Sequence, residues 1–523
     1  PYTTLFRSAA VRASTGRIAV ALGEMGPGAV NLAGGAGVAF NNHIPALFIT
    51  TNQHRAASYP ARGMFMDLDT RALFAPLTKW NAVVADARRL PELVRTAFRE
   101  ALSGRPGPVH LDIPQDVLAQ QLDWPAHIFE VTPQRYRAVH GPRPAAEALA
   151  QAAALLRDAR RPLIVAGGGV VAGGAVDGVR RLAARLAAPV VPTQMAAGVV
   201  ADTSDAFIGQ GGLIAGEPVI RAFDEADAIV AIGCRFSSWM WDEQGAFARG
   251  RHRLVNINTD PAALGAPALH EVAMIADARL ALDDLLAALG DAGPATEPDW
   301  RLRLRRARLA HMAVLDTMAG EAPGAGPMHP AALARAIGQA LPRDALVAYD
   351  GGHTSFWSND LTPVHEPRTR FHDPGMSQLG FGLPWALALQ FAHPGRRVVN
   401  ITGDGSFGFT LAELDTARRE KLPVLNIIHN NAAWGIIQAG QRASLDFEFG
   451  TSLEGTDYAA IARGFGCHGE TVTRPQDVAP AIERAFASGL PAVLDCRTRF
   501  ERHPAGPAFG RMNLFGFGSV AAS

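Results

Sequence analysis

Short apolar runs rich in valine and isoleucine recur along the chain, each bounded by glycine, proline or polar residues. Runs of this length read as strands buried on both faces rather than as helices. Residues 18–22, 46–50 and 109–113 form one group, 163–165, 228–232 and 254–257 a second, and 345–349, 397–402 and 424–429 a third. Ala-rich or Gly-rich stretches of helical character separate them, so strand and helix alternate and the sheets are predicted to be parallel. The breaks fall where turn residues collect. A polar, proline-containing linker spans 124–144, a GDAGPATEP run spans 290–298, and a second Gly/Pro linker spans 320–330. A basic helix is predicted over 300–315 between the last two. The expected fold class is therefore α/β, with three doubly wound parallel-sheet domains over residues 1–125, 143–290 and 326–505.

The third group carries the most informative chemistry. Residues 397–402 (RVVNIT) predict a buried strand, and Thr410-Leu411-Ala412-Glu413 reads as a capping box opening a helix that runs to about Glu420, before Pro423. The run 424–429 (VLNIIH) predicts the next strand. Strand, helix and strand with short links form a βαβ unit, so the two strands should be parallel. Asp404 in Gly403-Asp404-Gly405-Ser406 and Asn431 in Asn430-Asn431 then both lie just past carboxyl ends, where open α/β sheets bind ligands. Gly403 and Gly405 let the backbone approach closely, and amides there suit phosphate. A carboxylate and a carboxamide are hard oxygen donors, appropriate for Mg²⁺ shared with a diphosphate.

Composition narrows the class. The 523 residues suffice for about three domains, and 48% hydrophobic with 19% charged residues allows large cores. Formal net charge is zero, which gives no electrostatic reason to expect nucleic acid or an anionic membrane surface. Lys79 and Lys421 are the only lysines. Three scattered cysteines, Cys234, Cys467 and Cys496, argue for a reducing, cytoplasmic setting. No signal peptide is recognisable and no apolar run is long enough for a bilayer.

G-D-G-S, a helix and then N-N resembles the thiamine diphosphate signature of the acetolactate synthase and pyruvate decarboxylase superfamily. The resemblance extends over nearly the whole chain and implies pyrimidine-binding, central and diphosphate-binding domains in that order. It implies that Asp404, Asn431 and the Ala433 carbonyl hold Mg²⁺, with Gly403, Gly405 and Ser406 against the diphosphate. Gly26-Pro27-Gly28-Ala29-Val30-Asn31 is similar to the segment that lies on the aminopyrimidine, which makes Gly26 and Asn31 cofactor contacts. The stretch 375–384 resembles the segment that bends the cofactor. Leu379 would be its apolar wedge, bringing the exocyclic amine near the thiazolium C2, and the Ser377 carbonyl would accept from that amine. Gly351-Gly352-His353-Thr354 is similar to a loop that touches the diphosphate through His353. The resemblance implies that C2 attacks a carbonyl and that the ring accepts the electrons of the bond that breaks. It also implies a homodimer or homotetramer, with each site formed between two subunits.

Gly167-Gly168-Gly169 resembles the region that holds FAD in acetolactate synthases. A glycine cluster after a strand is weak evidence for a nucleotide, and many members keep this domain empty, so FAD is the lesser expectation.

The pattern departs from the family in three places. The Glu that assists C2 ionisation precedes an A-R-A-[ST]-G segment. Here Arg12-Ala13-Ser14-Thr15-Gly16 matches that segment with one residue extra, which puts the Glu at or before Pro1. The octapeptide from Pro1 to Ser8 matches nothing in the family helix and resembles translated adapter sequence, so a truncated start is expected. Glu24 is the nearest carboxylate and a catalytic candidate beside the pocket. Phe65, Asp69, Thr78 and Lys79 match the F-Q-E-x-D and T-K positions of acetolactate synthases, whereas Met66 and Asp67 replace Gln and Glu. The segment 432–438 keeps the substrate-facing layout, with Trp434 and Gln438 as pocket candidates, but the Trp that favours a second keto acid is missing.

The sequence therefore points to a thiamine diphosphate- and Mg²⁺-dependent enzyme that makes or breaks a C–C bond next to a carbonyl, on a 2-keto acid such as pyruvate. A 2-hydroxyacyl or benzaldehyde-type lyase, a 2-keto acid decarboxylase and a non-catalytic cofactor-binding homologue stay open as alternatives.

Overall fold

A computed structural model describes residues 4–58, 62–212, 215–237, 240, 252–265, 269–291, 293–320, 326–445 and 447–504. Pro1–Thr3 of the unmatched octapeptide, 321–325 of the second linker and residue 505 of the expected third domain lie outside them. The chain divides into two compact units. Pro1–Gly141 with Asp373–His393 forms the first, and Pro142–His372 with Pro394–Ser523 the second.

The first unit holds a four-stranded parallel sheet of β1 (Ala19–Gly23), β2 (Ala46–Asn52), β3 (Trp80–Val83) and β4 (Val109–Pro114), in the order β1-β2-β4-β3. The Pro27–Asn41 helix leaves β1 through Gly26, whose φ of 62° is open to glycine at little cost, with Pro27 pre-set for the first turn. Segment Asp373–His393 belongs to this unit, although the sequence places it inside the expected third domain. The reason is local. Its Gly382–Ala392 helix is apolar on nearly every side and packs on the Thr4–Thr15 helix, and Asp373 bonds to Asn42.

The second unit holds two more parallel sheets. The five-stranded one comprises β5 (Pro162–Ala166), β6 (Val190–Pro192), β7 (Ala228–Ile232), β8 (Arg253–Asn258) and β9 (Val272–Ile275), in the order β6-β5-β7-β8-β9. The six-stranded one comprises β10 (Leu346–Tyr349), β11 (Arg370–Phe371), β12 (Val398–Gly403), β13 (Leu425–Asn430), β14 (His468–Val472) and β15 (Ala492–Arg497), in the order β11-β10-β12-β13-β15-β14. Its central strands β12 and β13 are buried almost throughout, as a sheet covered on both faces requires, with Asn400, Thr402, Asn426, His429 and Asn430 as buried polar positions among the apolar ones. The expected α/β class with three parallel sheets is what the structure shows.

Two local expectations change. The helix between β12 and β13 does not open at a Thr410 capping box. A short helix, Asp404–Gly408, follows β12 at once, and the next helix is Glu413–Arg419 with Ala412 as its cap residue. The glycine-rich turn leaves β12 already helical, so Thr410 sits within a turn, its carbonyl accepting from Glu413 N–H at 2.9 Å. The basic helix runs from Trp300 to Gly320 rather than stopping near 315, and the Trp300 indole N–H donates to the Pro162 carbonyl at 3.0 Å.

Candidate active site

In the six-stranded sheet the chain leaves β10 toward β11 on one side and returns as β12 on the other. The carboxyl ends of β10 and β12 therefore flank a topological switch point, the usual place for a ligand in an open α/β sheet. Gly351-Gly352-His353 follows β10 and Gly403-Asp404-Gly405-Ser406 follows β12. They meet there. Gly351 has φ 97°, and a Cβ on it would lie 3.2 Å from both Gly403 N and Ser406 Oγ.

Asp404 is 4% exposed. Its Oδ1 accepts from the Gly405 N–H at 2.9 Å, whereas Oδ2 is buried without a hydrogen bond. Burial raises its pKa to about 6, against the pull of the amides of Gly405, Ala432 and Ala433. The amides of Ala432 and Ala433 thus lie within electrostatic reach, which brings the loop after β13 beside the carboxylate. In that loop Asn431 Oδ1 accepts from Ala433 N–H at 3.2 Å, and Ala432 is held at φ 52°, a conformation rare outside glycine. Trp434 N–H donates to the Thr451 carbonyl at 2.8 Å, and Ala433 pairs with Ser452 across an antiparallel bridge. A buried carboxylate oxygen without a hydrogen bond, beside a pinned loop that carries the Asn431 carboxamide, fits a hard divalent cation. With one negative ligand from the protein, most of the ion's charge is left for phosphate oxygens to meet.

Trp434 and Gln438 lie on the chain that follows β13. A Cβ on Gly405 would stand 2.4 Å from the Trp434 ring, so the indole lies directly on the Gly405 backbone. Gln438 is buried, and its amide donates to Glu448 at 2.8 Å. His353 opens the Gly352–Leu361 helix. Its Nε2 accepts from the His503 backbone N–H at 3.2 Å, and burial lowers its pKa to about 3, so the ring is neutral.

The first unit carries the other segments. Asn31 opens the second turn of the Pro27–Asn41 helix, half-buried, and a Cβ on Gly26 would meet Met66 Cβ at 2.9 Å. Met66 itself has φ 60°. Glu24 is exposed one residue beyond β1, its methylenes against Gly28. Leu379 is half-buried and Ser377 exposed, the latter at φ 53°. The turn that presents them is built on Asp373, which is fully buried. Its carboxylate accepts from Asn42 Nδ2 at 2.5 Å and from the Met376 and Gln378 amides at 3.1 Å each. Three non-glycine residues in left-handed backbone thus mark three of the segments singled out from the sequence.

Comparison with known proteins agrees with this geometry. Residues 149–285 match the family described as "Thiamine pyrophosphate enzyme, central domain", and residues 350–496 match "Thiamine pyrophosphate enzyme, C-terminal TPP binding domain". The chain is 32% identical over 495 residues to the acetolactate synthase large subunit of Parasynechococcus marenigrum, covering 93% of this chain and 78% of that one. The chain belongs to the thiamine pyrophosphate enzyme family. It is also 28% identical to a probable acetolactate synthase large subunit of Methanocaldococcus jannaschii, over 92% of this chain and 81% of the relative. To acetolactate synthase 1, chloroplastic, of Oryza sativa it is 29% identical, over 98% and 80%.

Within this thiamine pyrophosphate enzyme, some family-like residues are held by structural work. Asp69 caps the Thr70–Phe74 helix through Ala72 N–H at 2.9 Å. Lys79 donates to the carbonyls of Glu100 and Ser103, at 2.5 and 2.9 Å, closing the end of the Leu90–Leu102 helix. Lys79→Met is accordingly expected to lower unfolding free energy by about 1 kcal/mol while KM stays unchanged. A raised KM at unaltered stability, read from urea titration and steady-state rates, would instead make Lys79 a substrate residue. In the central sheet, a Cβ on Gly167 would stand 2.1 Å from the Gly233 carbonyl and one on Gly169 2.7 Å from Gly233 Cα. Contact between two strand-end turns therefore accounts for these glycines without a nucleotide.

Sequence reasoning missed Asp373, which had no motif to announce it, and His429. The latter is the last residue but one of β13 and registers with Gly403. It is buried, neither ring nitrogen has a hydrogen bond, and burial lowers its pKa to about 3.

Proposed function

We propose that this thiamine diphosphate-dependent enzyme is an acetolactate synthase-like carboligase whose donor is a 2-keto acid such as pyruvate. The observation that carries the reading is the buried Oδ2 of Asp404, without a hydrogen bond and on a carboxylate beside the Asn431–Ala433 turn, within a chain similar over most of its length to acetolactate synthase large subunits. Asp404, Asn431 and the Ala433 carbonyl would hold Mg²⁺. The amides around Gly403, Gly405 and Ser406, together with His353, would orient the diphosphate. The cofactor supplies an electron sink beside the attacked carbonyl. The protein's task is to fix its bend with Leu379, accept from its amine at Ser377, contact its pyrimidine from Gly26 and Asn31, and exclude water. Glu24 and Gln438 are further candidates at the substrate side.

The same reading includes a homodimer or homotetramer in a reducing cytoplasm. Cys234, Cys467 and Cys496 are free and buried, and burial raises each thiol pKa, which fits a compartment where disulfides do not form. Among the described residues no helix is long and apolar enough to cross a membrane.

A three-substrate panel with thiamine diphosphate and Mg²⁺ tests the assignment. Pyruvate is expected to give CO₂ and acetolactate. Benzaldehyde from benzoylformate, or an aldehyde from a 2-hydroxyacyl-CoA, with pyruvate inert would reassign the substrate. Cofactor binding with no turnover of any of the three would support the non-catalytic homologue.

A further inference from the structure

Beyond β15 the chain continues across the carboxyl end of the six-stranded sheet. Thr498 N–H donates to the Asn430 carbonyl at 2.9 Å and Arg499 N–H to the Met328 carbonyl at 3.0 Å. The Phe500 ring then stacks on His353, centroids 5.3 Å apart at 23°. Its outer side meets the Arg442 guanidinium, 5.2 Å from the ring centroid, and a Cβ on Gly435 would touch it at 3.3 Å. Three residues later the His503 backbone N–H reaches His353 Nε2.

His503 is held from below. Its ring is 1% exposed, stands edge-on to Trp357 with centroids 4.6 Å apart, and places Nε2 3.5 Å from Asp360 Oδ2, close to the carboxylate though outside hydrogen-bond geometry. Asp360 closes the far end of the helix that begins beside His353. Its Oδ1 takes Arg308 Nη1 at 3.0 Å, and Oδ2 also lies 3.5 Å from His311 Nε2. Burial works against its charge, yet the Arg308 guanidinium and the two histidines hold its pKa well below the ordinary carboxylate range. A permanent buried anion therefore sits under the His503 ring. Two protons cannot share His353 Nε2, so an N–H aimed at that atom leaves the neutral ring its proton on Nδ1.

We propose that Asp360 and His503 are positioning residues for His353: the carboxylate anchors the His503 ring, and the His503 backbone N–H fixes His353 as the Nδ1–H tautomer that donates to the diphosphate. This rests on the reading above that His353 faces the cofactor. Neither residue touches the cofactor in this scheme, and both act through the course of the 498–503 segment.

His503→Phe keeps ring packing against Trp357 and removes the nitrogen that faces Asp360. His503→Gln restores a donor of similar reach. Imidazole ¹⁵N shifts of the cofactor-free full chain report the His353 tautomer, and calorimetry reports thiamine diphosphate affinity at saturating Mg²⁺. The wild type is expected to show a single Nδ1–H tautomer. His503→Phe should show a tautomer mixture and bind about tenfold more weakly, a loss of ~1.4 kcal/mol, with His503→Gln recovering most of both. A wild-type His353 protonated on Nε2 overturns the proposal even if His503→Phe does not fold. So does a folded His503→Phe with parental tautomer and affinity. A wild type that fails to bind the cofactor overturns the functional reading instead, while the tautomer comparison still decides the anchoring.

Discussion

Asp404→Asn is expected to abolish Mg²⁺-dependent thiamine diphosphate binding and, at neutral pH, to make the cofactor-free chain more stable. Both effects follow from one buried carboxylate. Its folded pKa of about 6 lies above the ordinary 3.8 of the unfolded chain. Between those values the folded state retains a proton that the unfolded state releases, so the unfolded state binds fewer protons and stability falls as pH rises. The loss begins near pH 4 and is complete just above pH 6. A shift of this size corresponds to about 3 kcal/mol. An amide cannot ionise, so Asp404→Asn should remove this slope and gain roughly 1–3 kcal/mol above pH 6, with little gain at pH 4. Urea titrations of the cofactor-free protein at both pH values measure it. With Mg²⁺ and cofactor present the order should invert, because a ligand that binds only the folded chain stabilises it in proportion to the logarithm of its concentration over Kd. Asp404→Ala should lose binding equally. Retention of Mg²⁺-dependent affinity within a few-fold in either variant would remove Asp404 from the metal site.

How much of this was legible beforehand follows from where the signal sits. The strands of the three sheet centres announce themselves because strands covered on both faces are rich in apolar residues, wholly so in 228–232 and interrupted only by Asn400 and Thr402 before the closing glycine in 398–403. Edge strands carry no such signal. His468–Val472 is mostly half-exposed and mixed in character, and Arg370–Phe371 is two residues long, so neither stands out. Missing the latter hid the switch point, since it is the excursion to β11 that sets the Gly351 loop beside Asp404. The motif residues are legible because their chemistry is local to a strand end. The buried polar residues near them are not, because Asp373, His503 and Asp360 meet partners distant in sequence. Asp360 meets Arg308 from 52 positions away, and Asp373 meets Asn42 from 331. Conversely, Asp69 and Lys79 match family positions yet cap helices, which spacing alone does not distinguish from a role toward substrate.

Gly405→Ala is expected to be the most damaging single methyl in the diphosphate half of the site, and Trp434→Leu is expected to rescue it. Gly405 is not among the left-handed glycines, so alanine meets no backbone penalty there. The obstacle is contact. The new Cβ would stand 2.4, 2.7 and 2.8 Å from three atoms of the Trp434 six-membered ring. The indole has little freedom to retreat. Its backbone N–H is committed to Thr451, and its ring lies 5.9 Å from that of Phe409. Relief must then come from moving the Gly403–Ser406 turn or the 431–434 turn, which between them carry Asp404, Asn431 and Ala433. Overpacking of this kind costs about 1–3 kcal/mol in stability, and the displaced donors should cost affinity for Mg²⁺ and cofactor at least tenfold. Trp434→Leu alone should destabilise by about 2 kcal/mol through the cavity it leaves. Combined with Gly405→Ala it should cost less than the sum, with a coupling of about 1–2 kcal/mol, because the leucine clears the space the methyl needs. Two explanations of the glycine part at that point. If Gly405 is required because the indole covers it, the double variant regains Mg²⁺-dependent cofactor binding along with stability. If it is required because phosphate must approach its backbone too closely for any side chain, stability returns and binding does not. Calorimetric affinities and urea midpoints on the four proteins of the cycle decide between them.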